Sequence, residues 1–333
     1  MPARWRPRPC PVLFRNLRRG GRQPVPPAQG DRGRAARPRP RRDRTPSRGL
    51  SVALAIARGP CAGGGPGMTR ENVADILCIG AQRAMTTWLH QCLSAHPGVW
   101  SFPNFHPITA HTKEAHYWDW NHHRGPDWYR VTMRPLVAGK KSVDITPEYA
   151  FLNEAQLTEC KHLNPGARVI YILRDPLARA VSGLRMHTVW ATKHAAADEA
   201  RLDYDQHFLA RCKNARLWDH GAYARNIARW KRHYPDMLIL NYEDLRADPL
   251  AGLRLVLDHC GLSWDALSGS LRETLAERAG RRVWETPAYP LSRDCLDFLH
   301  GAMWPMREAL EKDTGITFTE GEAILRAREE SPA

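Results

Sequence analysis

Residues 76–90 read I-L-C-I-G-A-Q-R-A-M-T-T-W-L-H. An apolar run stops at Gly80, a polar loop follows, and T-T-W-L-H opens a helical pattern. That order predicts a strand, a turn and a helix. The first amides of such a helix have no carbonyl of their own to bond, and the helix dipole adds to their pull on an anion. Arg83 adds a charged fork, and Thr86 and Thr87 add hydroxyl donors. The ATP-binding version of this loop is G-x-x-x-x-G-K-S/T, where lysine reaches the terminal phosphates and Ser/Thr holds magnesium. Here Gly80 is followed by A-Q-R-A-M-T-T. The second glycine and the lysine are absent, which disfavours a magnesium nucleoside triphosphate.

Working outward, the first strand is expected at Asp75–Ile79 and its helix from Thr86 to about Ala95, where His96-Pro97-Gly98 ends it. A polar, aromatic loop, S-F-P-N-F-H-P-I-T-A-H-T, comes next. K-K-S-V-D-I-T reads as a strand, and Asn153 to Leu163 as a helix closed by N-P-G. The clearest strand is A-R-V-I-Y-I-L-R, β-branched and apolar. It feeds Asp175-Pro176 and a helix to about Met186. A helix from Gly221 to Tyr234, the strand M-L-I-L-N-Y and a helix starting at Pro249 complete the pattern. Strands of near-continuous apolarity alternating with helices imply an α/β fold with a parallel β-sheet flanked by helices. Ligands of such folds bind at the carboxyl ends of the strands, where both Gly80–Trp88 and Arg174–Ser182 fall.

Those two segments carry a resemblance. I-G-A-Q-R-A-M-T-T-W-L resembles the 5′-phosphosulfate loop of the P-loop sulfotransferases that use 3′-phosphoadenosine 5′-phosphosulfate. R-D-P-L-A-R-A-V-S-G-L-R-M-H, Arg174 to His187, resembles their 3′-phosphate motif. Arg174 at the strand end and Ser182 about two turns into the helix would grip that phosphate. K-E-A-H-Y-W, from Lys113, resembles the segment in which the glycan sulfotransferases carry their general base. The resemblance covers about residues 73 to 318. It implies that Gln82, Arg83, Ala84, Met85, Thr86 and Thr87 hold the phosphosulfate and that Trp88 either stacks on adenine or is a core residue. Glu114 is the candidate base and His116 its rival. Lys113 either contacts the sulfonate or is a solvated charge. D-I-T-P-E-Y places Asp144, Thr146 and Tyr149 at the acceptor cleft. A-G-R-R-V-W places Arg281 and Arg282 over the nucleotide.

Two departures stand out. Arg83 replaces a lysine often found in the loop, and arginine is a poor proton donor. Met85 replaces a glycine, which implies either a backbone angle open to ordinary residues or a distorted loop. The implied acceptor is a carbohydrate or glycolipid hydroxyl or amine, with aromatic Y-W-D-W-N-H-H and P-D-W-Y-R as sugar platforms or as core and lid; a small phenol or other alcohol stays open. No metal is expected.

The chain has 333 residues, 43% of them hydrophobic, and a formal charge of +14. Residues 1–67 hold 16 arginines, no lysine and 2 aspartates, so the whole excess sits there and the chain from Met68 on is balanced. This leader also holds 12 of the 26 prolines. It lacks the apolar surface to offset its ordering entropy and is expected to be disordered, either an upstream extension outside the native protein or an arginine-rich arm for nucleic acid or anionic lipid. The expected domains are therefore the leader 1–67, a sulfotransferase domain 68–325 and a tail 326–333. V-A-L-A-I-A is too short to span a membrane, and a soluble, cytoplasmic chain is expected, with no nucleic acid bound by the folded domain. The 8 scattered cysteines form no C-x-x-C and read as buried thiols. Histidines 106, 111 and 116 do not share a helical face, so no zinc site is expected there. Two other classes remain open: a P-loop ATP- or GTP-dependent kinase and a weakened, nucleotide-binding homologue of the sulfotransferases.

Overall fold

The computed structural model describes residues 72–101, 113–191, 202–281, 283 and 289–329. All of them lie in one compact unit, Gly65–Ala333, and the other unit, Met1–Gly64, lies outside the described residues. So do the aromatic loop 102–112 with His106 and His111, and Arg282.

In chain order the elements are β1 (Ile76–Cys78), α1 (Thr86–Ala95), β2 (Val99–Ser101), α2 (Gly125–Met133), β3 (Lys141–Asp144), α3 (Glu154–Leu163), β4 (Arg168–Leu173), α4 (Pro176–Ala191), α5 (Gln206–Asn214), α6 (Leu217–Gly221) and α7 (Tyr223–His233). They continue with β5 (Leu238–Asn241), α8 (Tyr242–Ala247), α9 (Pro249–His259), α10 (Gly269–Gly280), α11 (Arg293–Thr314) and α12 (Glu320–Glu329). The five strands form one sheet in the order β2-β3-β1-β4-β5, and every pair is parallel. The expected fold class is the one observed. β1 lies between β3 and β4, and its connection leaves toward β2 while that of β4 leaves toward β5. The strand order therefore reverses direction between β1 and β4, which opens a crevice at their carboxyl ends.

The sequence chemistry accounts for the joints. Asn153 caps α3 by accepting from Gln156 N at 3.0 Å, and the Gln156 side chain returns the bond to Asn153 N at 2.9 Å. Asn164, just past that helix, is buried, and its Oδ1 accepts from Ala74 N at 2.7 Å, which pins the approach to β1. Asp75 bonds Ser142 N at 2.9 Å and locks β1 against β3. The sheet core is built from the β1 and β4 side chains, all buried except Arg168 at the start of β4. A second apolar cluster joins α4 to α11 through Leu184, Leu299 and Met303.

Several boundaries differ from expectation. α4 runs on to Ala191, because T-V-W-A after Met186 contains nothing that stops a helix. P-D-W-Y-R belongs to α2. α12 continues through the 325/326 boundary expected for a tail. Cys78, Cys92, Cys160, Cys212, Cys260 and Cys295 are buried free thiols, and burial pushes the first five up to about 12. Among the described residues no helix is long and apolar enough to cross a membrane.

Candidate active site

The crevice between the ends of β1 and β4 is a cleft of about 1110 Å³, lined among others by Arg83, Met85–Trp88, Arg174, Ser182 and Arg281. α1 starts here with no side-chain cap, so the amides of its first turn face the cleft mouth without helical partners. Met85 has φ 62 and ψ 19, and Arg83 has φ 71. Met85 thus takes the left-handed backbone that glycine favours, at a cost of roughly 1 kcal/mol. The angle is not one open to ordinary residues, and the loop is held in shape by its surroundings.

What holds it is the second motif. Arg83 Nε donates to Ser182 Oγ at 3.0 Å, and Arg174 Nη1 donates to the Arg83 carbonyl at 2.9 Å. Two segments 99 residues apart in sequence are locked side chain to side chain. Burial first, and the Arg174 charge second, lower the Arg83 guanidinium to about 10, so it remains a cation at neutral pH. Arg174 also receives a carboxylate. Its Nε and Nη2 meet Glu320 Oε2 and Oε1 at 2.7 and 2.5 Å, and its guanidinium lies 4.5 Å over the Tyr242 ring. Burial opposes the Arg174 charge, but Glu320 outweighs it and raises its pKa.

Two loop residues stand elsewhere than expected. The Ala84 methyl is buried and its amide donates to Ala81 O at 3.1 Å, so neither serves a ligand. Gln82 does not line the cleft, and its Oε1 is buried without a hydrogen-bond partner. Trp88 is 3% exposed with its indole N–H on Ala279 O at 2.9 Å; it is a core tryptophan whose edge lines the cleft. Arg281 is exposed and 3.6 Å from Glu277.

Next to the loop, the segment from Lys113 runs along the end of β3, where Ile145 N donates to Lys113 O at 2.7 Å. It forms a second cluster, which does not line the cleft. Glu114 Oε1 pairs with the buried Lys113 ammonium. Its Oε2 lies 3.1 Å from His116 Nε2, and His116 Nδ1 lies 2.7 Å from Asp119 Oδ2. The His116 ring is stacked on Trp120 with centroids 3.6 Å apart. Burial works against a charged ring, but the bonds to Asp119 and Glu114 outweigh it and push His116 up to about 10. Burial would raise Glu114, yet Lys113 and His116 hold it below the usual carboxylate range. Two cations thus face three carboxyls. The third, Glu148, is pushed up to about 7 by burial and by Glu114. His116, Asp119 and Glu148 each place a donor atom within 4.8 Å of the others, a spacing a divalent cation could bridge, although His116 Nδ1 is here hydrogen bonded to Asp119.

His116 gives this cluster a pH signature. Its folded pKa lies above the ordinary 6.5, so its contribution to stability is complete below about 6.5 and is lost as pH rises toward 10. Between about pH 7 and about pH 8.5 the unfolding free energy should fall by roughly 2 kcal/mol more in the native chain than in His116→Gln, as urea titrations at the two pH values would report. Above that window the buried thiols add a slope of the same sign.

The acceptor-cleft expectation for Asp144, Thr146 and Tyr149 is corrected. All three are 0% exposed. Asp144 accepts from Thr146 Oγ1 at 2.6 Å, Tyr129 OH at 3.0 Å, Tyr149 OH at 3.1 Å and Ala115 N at 3.1 Å. They form a buried post beneath the 113–119 segment, because a carboxylate at a strand end satisfies itself with neighbouring hydroxyls once covered. Lys113, likewise, is no solvated charge. Of the aromatic platform, Tyr117, Trp118 and Tyr129 are core, while Trp120 is 54% exposed.

Sequence reasoning missed Asp119, Arg185, Tyr242, Arg246 and the α12 face of the cleft. Arg185 follows Ser182 by three residues on one helix, and Tyr242 follows the carboxyl end of β5; both positions were readable signals. Glu320 had none.

A family model described as the sulfotransferase domain matches residues 74–279. Among curated relatives, heparan sulfate glucosamine 3-O-sulfotransferase 3B1 of Mus musculus is 28% identical over 205 residues, 59% of this chain and 48% of the relative. Heparan sulfate glucosamine 3-O-sulfotransferase 6 of Homo sapiens is 28% identical over 203 residues, 60% of this chain and 54% of the relative. The chain thus spans about half the length of these relatives. In fold it is similar to a solved sulfotransferase of Alicyclobacillus acidocaldarius, with TM-score 0.54 and 18% identity over 75% of this chain and 98% of that one.

Proposed function

The chain belongs to the sulfotransferase domain family, and from that premise we propose that it moves a sulfuryl group from 3′-phosphoadenosine 5′-phosphosulfate to a hydroxyl or amine of a carbohydrate. The observation that carries the reading is the joint of Arg83 with Ser182 and of Arg174 with the Arg83 carbonyl. It assembles one cationic cleft from two phosphate-type motifs. The two-oxygen seat of a carboxylate on the Arg174 fork supports an anion site there.

Such a transfer depends on alignment and charge stabilisation more than on covalent catalysis. When bound, the phosphosulfate supplies the sulfuryl group and keeps the charge left on its 5′-phosphate. Arg83, the first amides of α1 and the Thr86 and Thr87 hydroxyls hold that end. Because Arg83 stays protonated, it stabilises charge and gives up no proton. Arg174 and Ser182 hold the 3′-phosphate, and this selects the nucleotide against ATP. Glu114 takes the acceptor proton. His116 is already protonated at neutral pH and bonds a carboxylate with each ring nitrogen, so it serves as the positioning residue that aims Glu114. Asp119 fixes the ring in turn.

A carbohydrate acceptor is supported by the half-exposed Trp120 ring beside this cluster, since an indole offers an apolar face to sugar C–H groups. The 3-O-sulfotransferase relatives named above make a glucosamine-containing polysaccharide the first acceptor to test. Incubated with phosphosulfate radiolabelled in its sulfur, the full chain should transfer label to desulfated heparin or heparosan without added magnesium. Absence of label on every carbohydrate tried, with magnesium-dependent phosphate transfer from ATP instead, would overturn the carbohydrate sulfotransfer reading.

A further inference from the structure

We propose that Glu320 is a built-in stand-in for the nucleotide's 3′-phosphate, so that α12 must give up its hold on Arg174 for the nucleotide to bind fully. This inference rests on the reading of the cleft as the site of 3′-phosphoadenosine 5′-phosphosulfate.

Three of the five N–H donors of Arg174 are engaged. One edge, Nε and Nη2, meets the two oxygens of Glu320 at 2.7 and 2.5 Å, and Nη1 is spent on the Arg83 carbonyl. Of the two edges of the fork, the Nη1–Nη2 edge already has Nη1 on the Arg83 carbonyl, which leaves the Nε–Nη2 edge to match a pair of anionic oxygens, whether of carboxylate or of phosphate. Both cannot occupy it at once, and a dianionic phosphate brought beside a carboxylate is repelled. Glu320 is therefore exchanged for the phosphate when the nucleotide enters.

The seat of Glu320 is built rather than incidental. Gly321 lets α12 approach: a Cβ there would lie 2.5 Å from the carboxylate oxygens of Asp175, the residue after Arg174. Glu243 clasps the start of α12, accepting from Thr319 N, Thr319 Oγ1 and Glu320 N at 2.7 to 3.0 Å. Past that clasp, α12 lines the cleft through Ala323, Ile324 and Ala327, and Ile324 and Leu325 pack against the apolar cluster of α4 and α11. Its contact with Arg174 itself is polar and exchangeable. Gly315, at φ 70, ends α11 and starts the link 315–319 in which the turn between the two helices is made. Arg246 lies 4.0 Å from Glu320 and gives the displaced carboxylate a partner.

If only the fraction of molecules with Glu320 displaced binds the 3′-phosphate, the apparent affinity is lowered by that fraction. Calorimetry on the full chain tests this with adenosine 3′,5′-bisphosphate and with adenosine 5′-monophosphate, which lacks the competing group. Glu320→Gln should bind the bisphosphate about tenfold tighter or more and the monophosphate as the native chain does. Glu243→Ala, which loosens the clasp without touching Arg174, should shift bisphosphate affinity in the same direction. In the native chain the bisphosphate should speed hydrogen exchange of amides 319–327. If Arg174→Ala weakens the bisphosphate but Glu320→Gln binds it no tighter, or tightens both nucleotides alike, the stand-in role is overturned. If Arg174→Ala leaves the bisphosphate unaffected, the nucleotide reading of the cleft fails and the stand-in role fails with it.

Discussion

Glu114→Gln should lower kcat for sulfate transfer by roughly two to four orders of magnitude while adenosine 3′,5′-bisphosphate binds as tightly as to the native chain. Glutamine keeps the shape, and its one carbonyl oxygen can still accept from Lys113; its NH2 then takes the place of the oxygen facing His116 Nε2 and can bond there only to a deprotonated ring. What it loses is the carboxylate held ionised by two cations, Lys113 and His116. The same two cations make it a weak base, so its value lies in being ionised and aimed. Single-turnover rates beside calorimetric affinities separate the two quantities. A fall in kcat of less than about tenfold would remove Glu114 as the proton acceptor and leave Glu148 as the next carboxyl to test.

The second large effect is expected at Arg174. Arg174→Ala should weaken adenosine 3′,5′-bisphosphate about 30- to 100-fold. Two charge-assisted bonds are together worth more than that, at about 1.5–3 kcal/mol each, but in the native chain they are exchanged with Glu320 rather than made anew. The fold should survive, because Glu320 is 22% exposed in its side chain and can hydrate once its partner is gone. Affinity within about threefold of native, with ATP bound equally well, would mean that Arg174 selects nothing. Salt should weaken the native complex more than the variant, since the lost term is ionic.

How much of this is legible in the sequence depends on where the information lies along the chain. β4 was legible because R-V-I-Y-I-L is long enough and β-branched enough to exclude a helix. α1 was legible because Pro97 ends it and the loop starts it. β2 is only Val99–Ser101, too short to show any period. α2 hid behind its aromatics, which suggest a surface platform until Tyr129 is seen buried against Tyr117 at 4.7 Å between centroids. The motif residues at the strand ends could be placed at one crevice because topology alone brings them there. Asp144, Thr146 and Tyr149 could not, since a polar residue at a strand end serves a ligand or a buried post with the same letters. Glu320 lies 146 residues from Arg174, and α11 before it carries Pro305 within its 22 residues, which interrupts the helical signal. The contact is a property of how α12 docks, and no local pattern encodes docking.

The position of β1 in the sheet has a consequence for the order of events as the chain folds. β1 pairs on one side with residues near 143 and on the other with residues 168–170, so the middle of the sheet closes over long intervening loops. Such closure is slow, because the entropy of the loops is lost before the pairing rewards it. A nascent chain therefore has no rudimentary nucleotide site to offer. The cleft comes into being only when the seam between β1 and β4 shuts, late and all at once. A nucleotide that touches the loop after β1 and the helix after β4 lies across that seam as a clasp. Its effect belongs on the unfolding rate, which it should slow, far more than on the folding rate, since the transition state for closure precedes the site it would bind.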